Sequence, residues 1–281
     1  MHTSIEDLAV YLVEPSPTQY TVISRQLAMI GVNRIQQFES GAKALAAMCE
    51  ATPSVVISSF YLPDMQGTEL IQTMRDDPDL ERIPFILISS ETRPQVLDPV
   101  RQSGACAILP KPFSTAQLQG ALRASLDLLN PDGELNAPVD LDSFRVMIVD
   151  DSNTARRYIR QVLENLGIEN FVEAGNGKEA VDMLAETMVD LVVTDYNMPE
   201  MDGKELVHYI RTQSWQNSVP ILMVTSEGDA GRLAAVEQAG VSAICDKPFE
   251  PRTVRRLIEQ ALANYSTLKT PHRGDRPRQR E

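Results

Sequence analysis

The sequence predicts an α/β fold of two units in tandem, each a doubly wound sheet of five parallel strands. In each half of the chain, short apolar runs alternate with longer segments of helical period. Matching residues also recur at one constant offset of 136 positions. Runs that are apolar on both faces indicate parallel strands covered by helices on each side.

The repeat extends from one end of the unit to the other. Val13-Glu14 recurs as Val149-Asp150, and Lys111-Pro112-Phe113 recurs as Lys247-Pro248-Phe249. One matching dipeptide carries little weight, but a constant offset over many features indicates a duplicated fold without net insertion.

The second unit shows the order of elements most clearly. We expect strands at 144–149, 170–173, 191–194, 221–224 and 242–245. We expect helices at 153–166, 178–186, 203–212, 229–238 and 251–263.

These elements divide the chain into four parts. A first unit at 1–129 and a second at 144–265 flank a linker at 130–143, which is rich in Pro, Gly, Asn and Asp. Residues 266–281 carry five basic and two acidic side chains and few apolar ones, so we expect a disordered basic tail.

Composition excludes some classes of protein. The formal net charge of −13 repels nucleic acid phosphates, so we expect no DNA binding. No signal peptide or apolar run of membrane-spanning length is evident. Cys49, Cys106 and Cys245 lack metal-site or disulfide spacing, which favours reduced thiols in a cytoplasmic protein, and Cys106 and Cys245 lie in apolar runs typical of a core.

Polar residues follow the strands of the second unit. Asp150-Asp151 comes after the first strand, Asp195 after the third, Thr225 after the fourth and Lys247 after the fifth. Functional groups collect at this edge of an open α/β sheet. Three carboxylates there require a cation, and their hard oxygens suit Mg²⁺. A hydroxyl and an ammonium beside them suit a phosphoryl group.

The second unit resembles the receiver domains of two-component response regulators, and among them the CheY type. The resemblance rests on VDDSNTARR, TDYNMPEMDG, MVTSE and DKPF and covers about 144–263. It implies a flavodoxin-like fold and a phosphoryl group received from a histidine kinase. It also implies roles for Asp195 as phosphoacceptor, Asp151 as direct Mg²⁺ ligand, Asp150 as ligand through water, Asn197 as ligand through its main-chain carbonyl, and Thr225 and Lys247 as phosphoryl contacts.

Two further features follow from the resemblance. Family members commonly have an aromatic switch residue where this chain has Ile244, so the second half of the usual switch is in doubt. Asn197 and Glu227 occupy positions that tune dephosphorylation in the family, which implies a signal that decays by itself.

The first unit has lost this chemistry. At an offset of 136, Asp150-Asp151 corresponds to Glu14-Pro15, and Asp195 corresponds to Ser59. Proline offers no side-chain oxygen to a metal, and serine cannot form an acyl phosphate. We interpret the first unit as a pseudo-receiver that is retained for binding.

We therefore expect a signalling module that is switched by phosphorylation and acts through protein contacts in chemotaxis or motility, and not a conventional enzyme. We expect a contact between the units, or between two chains, through about 229–263. Two alternatives stay open: a phosphoryl sink or relay intermediate without an output partner, and a scaffold indifferent to phosphorylation. A haloacid-dehalogenase phosphatase would need a second aspartate where Asn197 stands.

Overall fold

The computed structural model describes residues 4–91, 93–130, 141, 143–225, 239–247 and 251–269. The predicted helix at 229–238, Glu227, most of the predicted linker and residues 270–281 lie outside these ranges.

The first unit follows a short 3-10 helix at Ile5–Asp7. Its strands are β1 (Ala9–Val13), β2 (Arg34–Phe38), β3 (Val55–Ser59), β4 (Phe85–Ser89) and β5 (Ala107–Pro110). Its helices are α1 (Pro17–Ile30), α2 (Gly41–Glu50), α3 (Gly67–Asp76), α4 (Pro94–Gln102) and α5 (Thr115–Leu129).

The second unit repeats this order. Its strands are β6 (Arg145–Val149), β7 (Asn170–Ala174), β8 (Leu191–Asp195), β9 (Ile221–Thr225) and β10 (Ala243–Asp246). Its described helices are α6 (Asn153–Glu164), α7 (Gly177–Glu186), α8 (Gly203–Thr212) and α9 (Pro251–Lys269).

Both sheets are parallel and have the predicted doubly wound topology. The strand order is β2-β1-β3-β4-β5 in the first and β7-β6-β8-β9-β10 in the second. Every residue of the central strands β3, β4, β8 and β9 is buried. Such strands need apolar side chains on both faces, which explains the continuous hydrophobic runs in the sequence.

The last helix corrects one predicted boundary. We expected disorder from residue 266, whereas α9 continues to Lys269. The sequence offers no helix-breaking residue until Pro271, which disfavours helical backbone at the residue before it. Among the described helices, none combines the length and apolar character needed to cross a bilayer.

Helix α8 is placed against the end of β8 by a glycine. The side chain of Asp202 caps the helix by accepting from the Glu205 N–H, and Glu205 bonds back to the Asp202 N–H. A Cβ at Gly203 would collide with the carbonyl oxygen of Asp195 and lie 3.0 Å from the Tyr196 Cα. Only glycine permits this close approach.

The two units share one hydrophobic cluster. Cys106 and Leu128 of the first unit are buried together with Phe144, Tyr158 and other residues of the second. Cys106 and Cys245 are both buried, as predicted for core residues, and burial raises the pKa of the Cys106 thiol. The interface is therefore continuous with the core of the second unit.

Tyr158 of α6 is buried in this interface. Its ring lies against Gly104, where a Cβ would approach the Tyr158 ring to 2.7 Å, and the φ of +71° at Gly104 favours glycine in addition. The buried Arg75 donates to the carbonyl oxygens of Ser103 (3.1 Å), Gly104 (3.1 Å) and Ile83 (3.0 Å). Arg75 thereby holds the backbone on which Tyr158 packs.

The second unit repeats this arginine clamp. Arg211, at the position equivalent to Arg75, donates to the carbonyl oxygens of Gly240 and Asn217, each at 2.9 Å. Gly240 is exposed, whereas its equivalent Gly104 is covered by Tyr158. The clamp is thus a feature of the fold that the first unit also uses in its interface.

Polar contacts surround the interface. Two are ion pairs, Arg157 with Glu81 and Arg82 with Glu164, each at 3.1 Å. Three are hydrogen bonds to carbonyl oxygens of the first unit: Arg157 donates to Arg75 at 3.1 Å, Gln161 to Arg82 at 3.3 Å, and Asn165 to Leu128 at 2.9 Å. The described part of the range 229–263, which we predicted for contacts, does meet the first unit: Arg252 pairs with Asp127 at 2.8 Å, and Val254 and Ile258 of α9 share the hydrophobic cluster with Leu128. The other polar contacts come from α6 and from Asn165 at its C-terminal end. Helix α6 lies outside the predicted range and corresponds to α1 of the first unit.

A pair of glycine substitutions tests the close approach at Gly203. We expect Gly203→Ala to lower the free energy of unfolding by roughly 2–3 kcal/mol, because the backbone must shift to admit the methyl group. Gly120→Ala is the matched control. Gly120 is an exposed position in α5 with open space around its Cα, so alanine should raise stability by up to about 1 kcal/mol. Urea denaturation midpoints measure both, and an unchanged midpoint for Gly203→Ala would contradict the packing described above.

Candidate functional site

The predicted site residues meet at the carboxyl edge of the second sheet. Asp150 follows β6, Asp195 ends β8, Thr225 ends β9, and Lys247 follows β10. Because these strands are parallel and adjacent, their ends bring the four side chains to the same edge. The structure therefore assembles residues that are up to 97 positions apart in the chain.

Lys247 lies between two buried carboxylates. Its Nζ is 3.0 Å from Asp150 Oδ2 and 3.2 Å from Asp195 Oδ1. The three side chains are only 4%, 0% and 2% exposed, in the order Lys247, Asp150 and Asp195. Breaking such a buried pair would leave an uncompensated charge, so Lys247 is required for the two carboxylates to coexist.

Asp195 has an unusual proton affinity. Burial is the largest influence and raises the pKa of its carboxyl, Lys247 lowers that pKa, and the nearby Asp150 raises it, with a net value of about 6. Within the described part of the chain, Asp195 Oδ2 is buried and makes no hydrogen bond. A buried acceptor without a partner is costly, and it is an available position for a cation or a new covalent bond.

The carboxylates of Asp150 and Asp151 differ in the hydrogen bonds they accept and in their exposure to solvent. Asp150 Oδ1 accepts from the Ser152 N–H at 2.9 Å, and Asp150 Oδ2 accepts from Lys247. Asp151 is exposed. Its carboxylate is therefore the more accessible of the two to a cation that enters from solvent.

The donor set fits a divalent cation. Carboxylate oxygens of Asp150, Asp151 and Asp195 all lie within 4.8 Å of one another. Three carboxylates against one ammonium leave an excess of two negative charges, and Oδ2 of Asp195 lacks a partner. Hard oxygen ligands of this kind are those that Mg²⁺ prefers. Asn197, whose main-chain carbonyl the resemblance implies as a further ligand, lies in the exposed loop after β8.

Thr225 and Ile244 complete the surroundings. Thr225 is fully buried, and its carbonyl oxygen accepts from the Lys247 N–H at 2.8 Å, which fixes the backbone that carries the lysine. Ile244 is partly buried and, like Val241, packs against the hydrophobic cluster that contains Met223. The position of the family's aromatic switch residue is thus part of the apolar packing.

One residue of the site was missed by sequence reasoning. Gln102 belongs to the first unit, yet its Oε1 accepts a hydrogen bond of 2.7 Å from Lys247 Nζ. No motif or periodicity marks this glutamine. Its place depends on how the two units pack, which a repeat offset does not indicate.

At the equivalent edge of the first sheet, the carboxylate of Glu14 accepts hydrogen bonds from the polar groups around it. Glu14 Oε2 accepts from the Ser59 hydroxyl and, at 3.2 Å, from Lys111 Nζ, while Glu14 Oε1 accepts from the Ser16 N–H at 2.9 Å. Glu14 is one methylene longer than the aspartate at the equivalent position and reaches both partners. Among the described residues, the cluster suited to a metal ion is the one in the second unit.

Comparison with known proteins matches both halves of the chain to one domain family. The sequence profile of the response regulator receiver domain matches residues 10–123 and again residues 146–259. The chain is 39% identical over 123 residues to a chemotaxis protein CheY homolog of Campylobacter jejuni, an alignment that covers 43% of this chain and 95% of that protein. It is also 39% identical over 119 residues to the chemotaxis protein CheY1 of Helicobacter pylori, with 42% and 96% covered. Among solved structures, chemotaxis protein CheY4 of Vibrio cholerae aligns with a TM-score of 0.40 and 31% identity over 42% of this chain and 98% of that one.

The raised pKa of Asp195 yields a test of its buried charge. In chelator at pH 8 we expect Asp195→Asn to stabilise the second unit by a free energy on the order of 1–3 kcal/mol, because the variant removes a charge that burial and Asp150 disfavour.

The stability gained by Asp195→Asn should depend on pH, because the pKa of Asp195 differs between the folded and unfolded states. The folded value of about 6 lies above the ordinary 3.8, so stability from protonation is fully present below about pH 4 and is lost as the pH rises through 6. Urea denaturation at pH 8 and pH 5 should therefore show a larger gain at pH 8. An equal gain at both pH values would contradict the burial argument.

Proposed function

We propose that this protein, which belongs to the response regulator receiver domain family, is switched by transfer of a phosphoryl group to Asp195. It is a two-component response regulator with two receiver domains, and the proposal concerns which of them reacts. The observation that carries it is the buried Asp195 carboxylate, which has one oxygen without a hydrogen bond and lies 3.2 Å from the ammonium of Lys247.

The reaction requires a nucleophile and compensation of charge. A carboxylate oxygen of Asp195 attacks the phosphorus of a phosphohistidine on a histidine kinase or phosphotransfer protein. The P–N bond breaks, its electron pair stays on the imidazole, and an acyl phosphate forms. Lys247 keeps its proton and compensates the negative charge that arrives with the phosphoryl oxygens.

A divalent cation would be held by Asp150, Asp151 and Asp195, and we propose the main-chain carbonyl of Asn197 as a further ligand. When bound, Mg²⁺ supplies positive charge to the phosphoryl oxygens and offsets the repulsion among the carboxylates. Asp150 would act mainly through water, because its two oxygens already accept from Ser152 and Lys247.

We propose Thr225 as the residue whose position changes when Asp195 is phosphorylated. Its hydroxyl is carried at the end of β9, next to the strand that leads to Lys247. Binding of that hydroxyl to a phosphoryl oxygen would favour one position of the Thr225 side chain over another, and only such differential binding shifts a population. With isoleucine at 244, the response does not pass through an aromatic ring at that position.

The output we propose is a protein contact, in the cytoplasm and in a pathway of the chemotaxis or motility type. Two observations support this choice over a DNA-binding or conventional enzymatic output: the profile match accounts for both described units, and the net charge of −13 disfavours nucleic acid. The phosphoryl sink differs from this proposal only in having no state-dependent partner.

Labelling with acetyl phosphate and Mg²⁺ tests the phosphoacceptor. We expect the wild-type protein to take up one acid-stable, base-labile phosphoryl group and Asp195→Asn to take up none, because an amide cannot form the acyl phosphate. Ser59→Ala, at the equivalent position of the first unit, is the matched control and should label like the wild type. Mass spectrometry of the intact chain measures the outcome, and a label retained in Asp195→Asn would contradict the assignment.

Affinity capture separates a signalling module from a sink. Beryllofluoride mimics the phosphorylated state, and we expect the wild-type protein with Mg²⁺ and beryllofluoride to retain partners that Asp195→Ala does not. Quantitative mass spectrometry of the retained proteins provides the measurement. Identical partner sets in the two samples would favour the sink.

A further inference from the structure

The side chain of Gln102 connects the silent unit to the reactive one. Gln102 ends α4 of the first unit, and its Oε1 lies 2.7 Å from Lys247 Nζ of the second. This is the shortest of the three contacts that Lys247 Nζ makes at the site. The first unit therefore touches the same ammonium that faces Asp195.

Three oxygen atoms already surround the ammonium of Lys247. An ammonium group has three N–H donors. Asp150 Oδ2 at 3.0 Å, Asp195 Oδ1 at 3.2 Å and Gln102 Oε1 at 2.7 Å supply three acceptors. With its side chain only 4% exposed, Lys247 cannot gain another acceptor without giving one up.

Gln102 is held in place by its neighbours in the chain. Arg75 bonds to the carbonyl oxygens of Ser103 and Gly104, the next two residues. The Ser103 hydroxyl donates to the Pro99 carbonyl oxygen at 2.7 Å, and Gly104 is covered by Tyr158 of the second unit. The amide is thus presented to Lys247 by a backbone that is fixed on both sides.

We propose that Gln102 competes with the phosphoryl group for Lys247, so that phosphorylation of Asp195 and this contact between the units oppose each other. The inference rests on the proposed function. The ammonium of Lys247 is the charged donor in both contacts, but the amide of Gln102 is neutral, whereas the phosphoryl oxygens carry nearly two negative charges and add a Coulomb attraction that burial strengthens. Phosphorylation therefore displaces the amide and releases the end of α4 from the site.

The coupling is reciprocal. If the phosphoryl group weakens the contact of Gln102, the contact must weaken binding of the phosphoryl group by the same factor. The first unit then acts as a brake on the site of the second, and the end of α4 is the segment through which it responds to the state of Asp195.

Beryllofluoride affinity of the full chain tests the competition. In saturating Mg²⁺, we expect Gln102→Ala to bind beryllofluoride about fivefold more tightly than the wild type, the low end of typical coupling between sites. Gln102→Glu should bind it more weakly, because a carboxylate keeps the contact with Lys247 and adds negative charge. Isothermal calorimetry measures the dissociation constants.

Gln161→Ala is the matched control. Gln161 also bridges the two units, through the Arg82 carbonyl oxygen, but it does not touch Lys247. Its beryllofluoride affinity should equal that of the wild type. As a second measurement, beryllofluoride should raise amide hydrogen exchange across residues 99–106 in the wild type, and less so in Gln102→Ala, where the contact is already absent.

The possible outcomes separate the two proposals. If Gln102→Ala binds beryllofluoride with the same affinity as the wild type or more weakly, the proposed competition is overturned. The assignment of Asp195 as phosphoacceptor then stays intact. Equal tightening by Gln161→Ala would also overturn it, because loosening of the interface alone would then suffice. A wild-type protein that binds no beryllofluoride would overturn both proposals.

Discussion

The site of the second unit depends on the buried ammonium of Lys247. Two carboxylates, Asp150 and Asp195, are buried at one sheet edge, where like charges repel more strongly than in water. Lys247 contacts both, and its backbone is fixed by the hydrogen bond from its N–H to the Thr225 carbonyl oxygen. Strand pairing between β9 and β10 thus determines where the positive charge lies. The arrangement keeps Asp195 buried with one oxygen that makes no hydrogen bond within the described part of the chain.

The two units differ in how the negative charge of the carboxylates at this sheet edge is balanced. In the first unit one carboxylate, Glu14, meets one ammonium, Lys111, and the Ser59 hydroxyl. Charge is balanced there without a metal ion. In the second unit three carboxylates meet one ammonium, so the site is balanced only when a cation or another positive group joins it. The substitutions at 14, 15 and 59 therefore convert an open site into a closed one and leave the sheet around it unchanged.

Most of the fold and the candidate site could be predicted from the sequence, because both depend on local pattern and on topology. Continuous apolar runs identified the central strands, and residues after parallel strands must meet at one edge, which brought Asp150, Asp195 and Lys247 together. The interface could be predicted only in part: the family resemblance indicated the range 229–263, but not the contacts of α6. Tyr158 and Gln102 contact residues of the other unit, and such contacts depend on the relative orientation of two domains. Lys269 illustrates a smaller limit, since polar composition indicated disorder where the helix continues.

The arginine clamp makes the surface that Tyr158 covers a property of the first unit itself. Arg75 and Arg211 donate to the carbonyl oxygens of the equivalent residues Gly104 and Gly240, so each unit fixes this glycine with its own hydrogen bonds. Tyr158 covers Gly104, whereas Gly240 is exposed, and the position equivalent to Tyr158 in the first unit is Val22, which is 49% exposed. Covering of the glycine is thus an added contact and not a condition for the backbone that carries it.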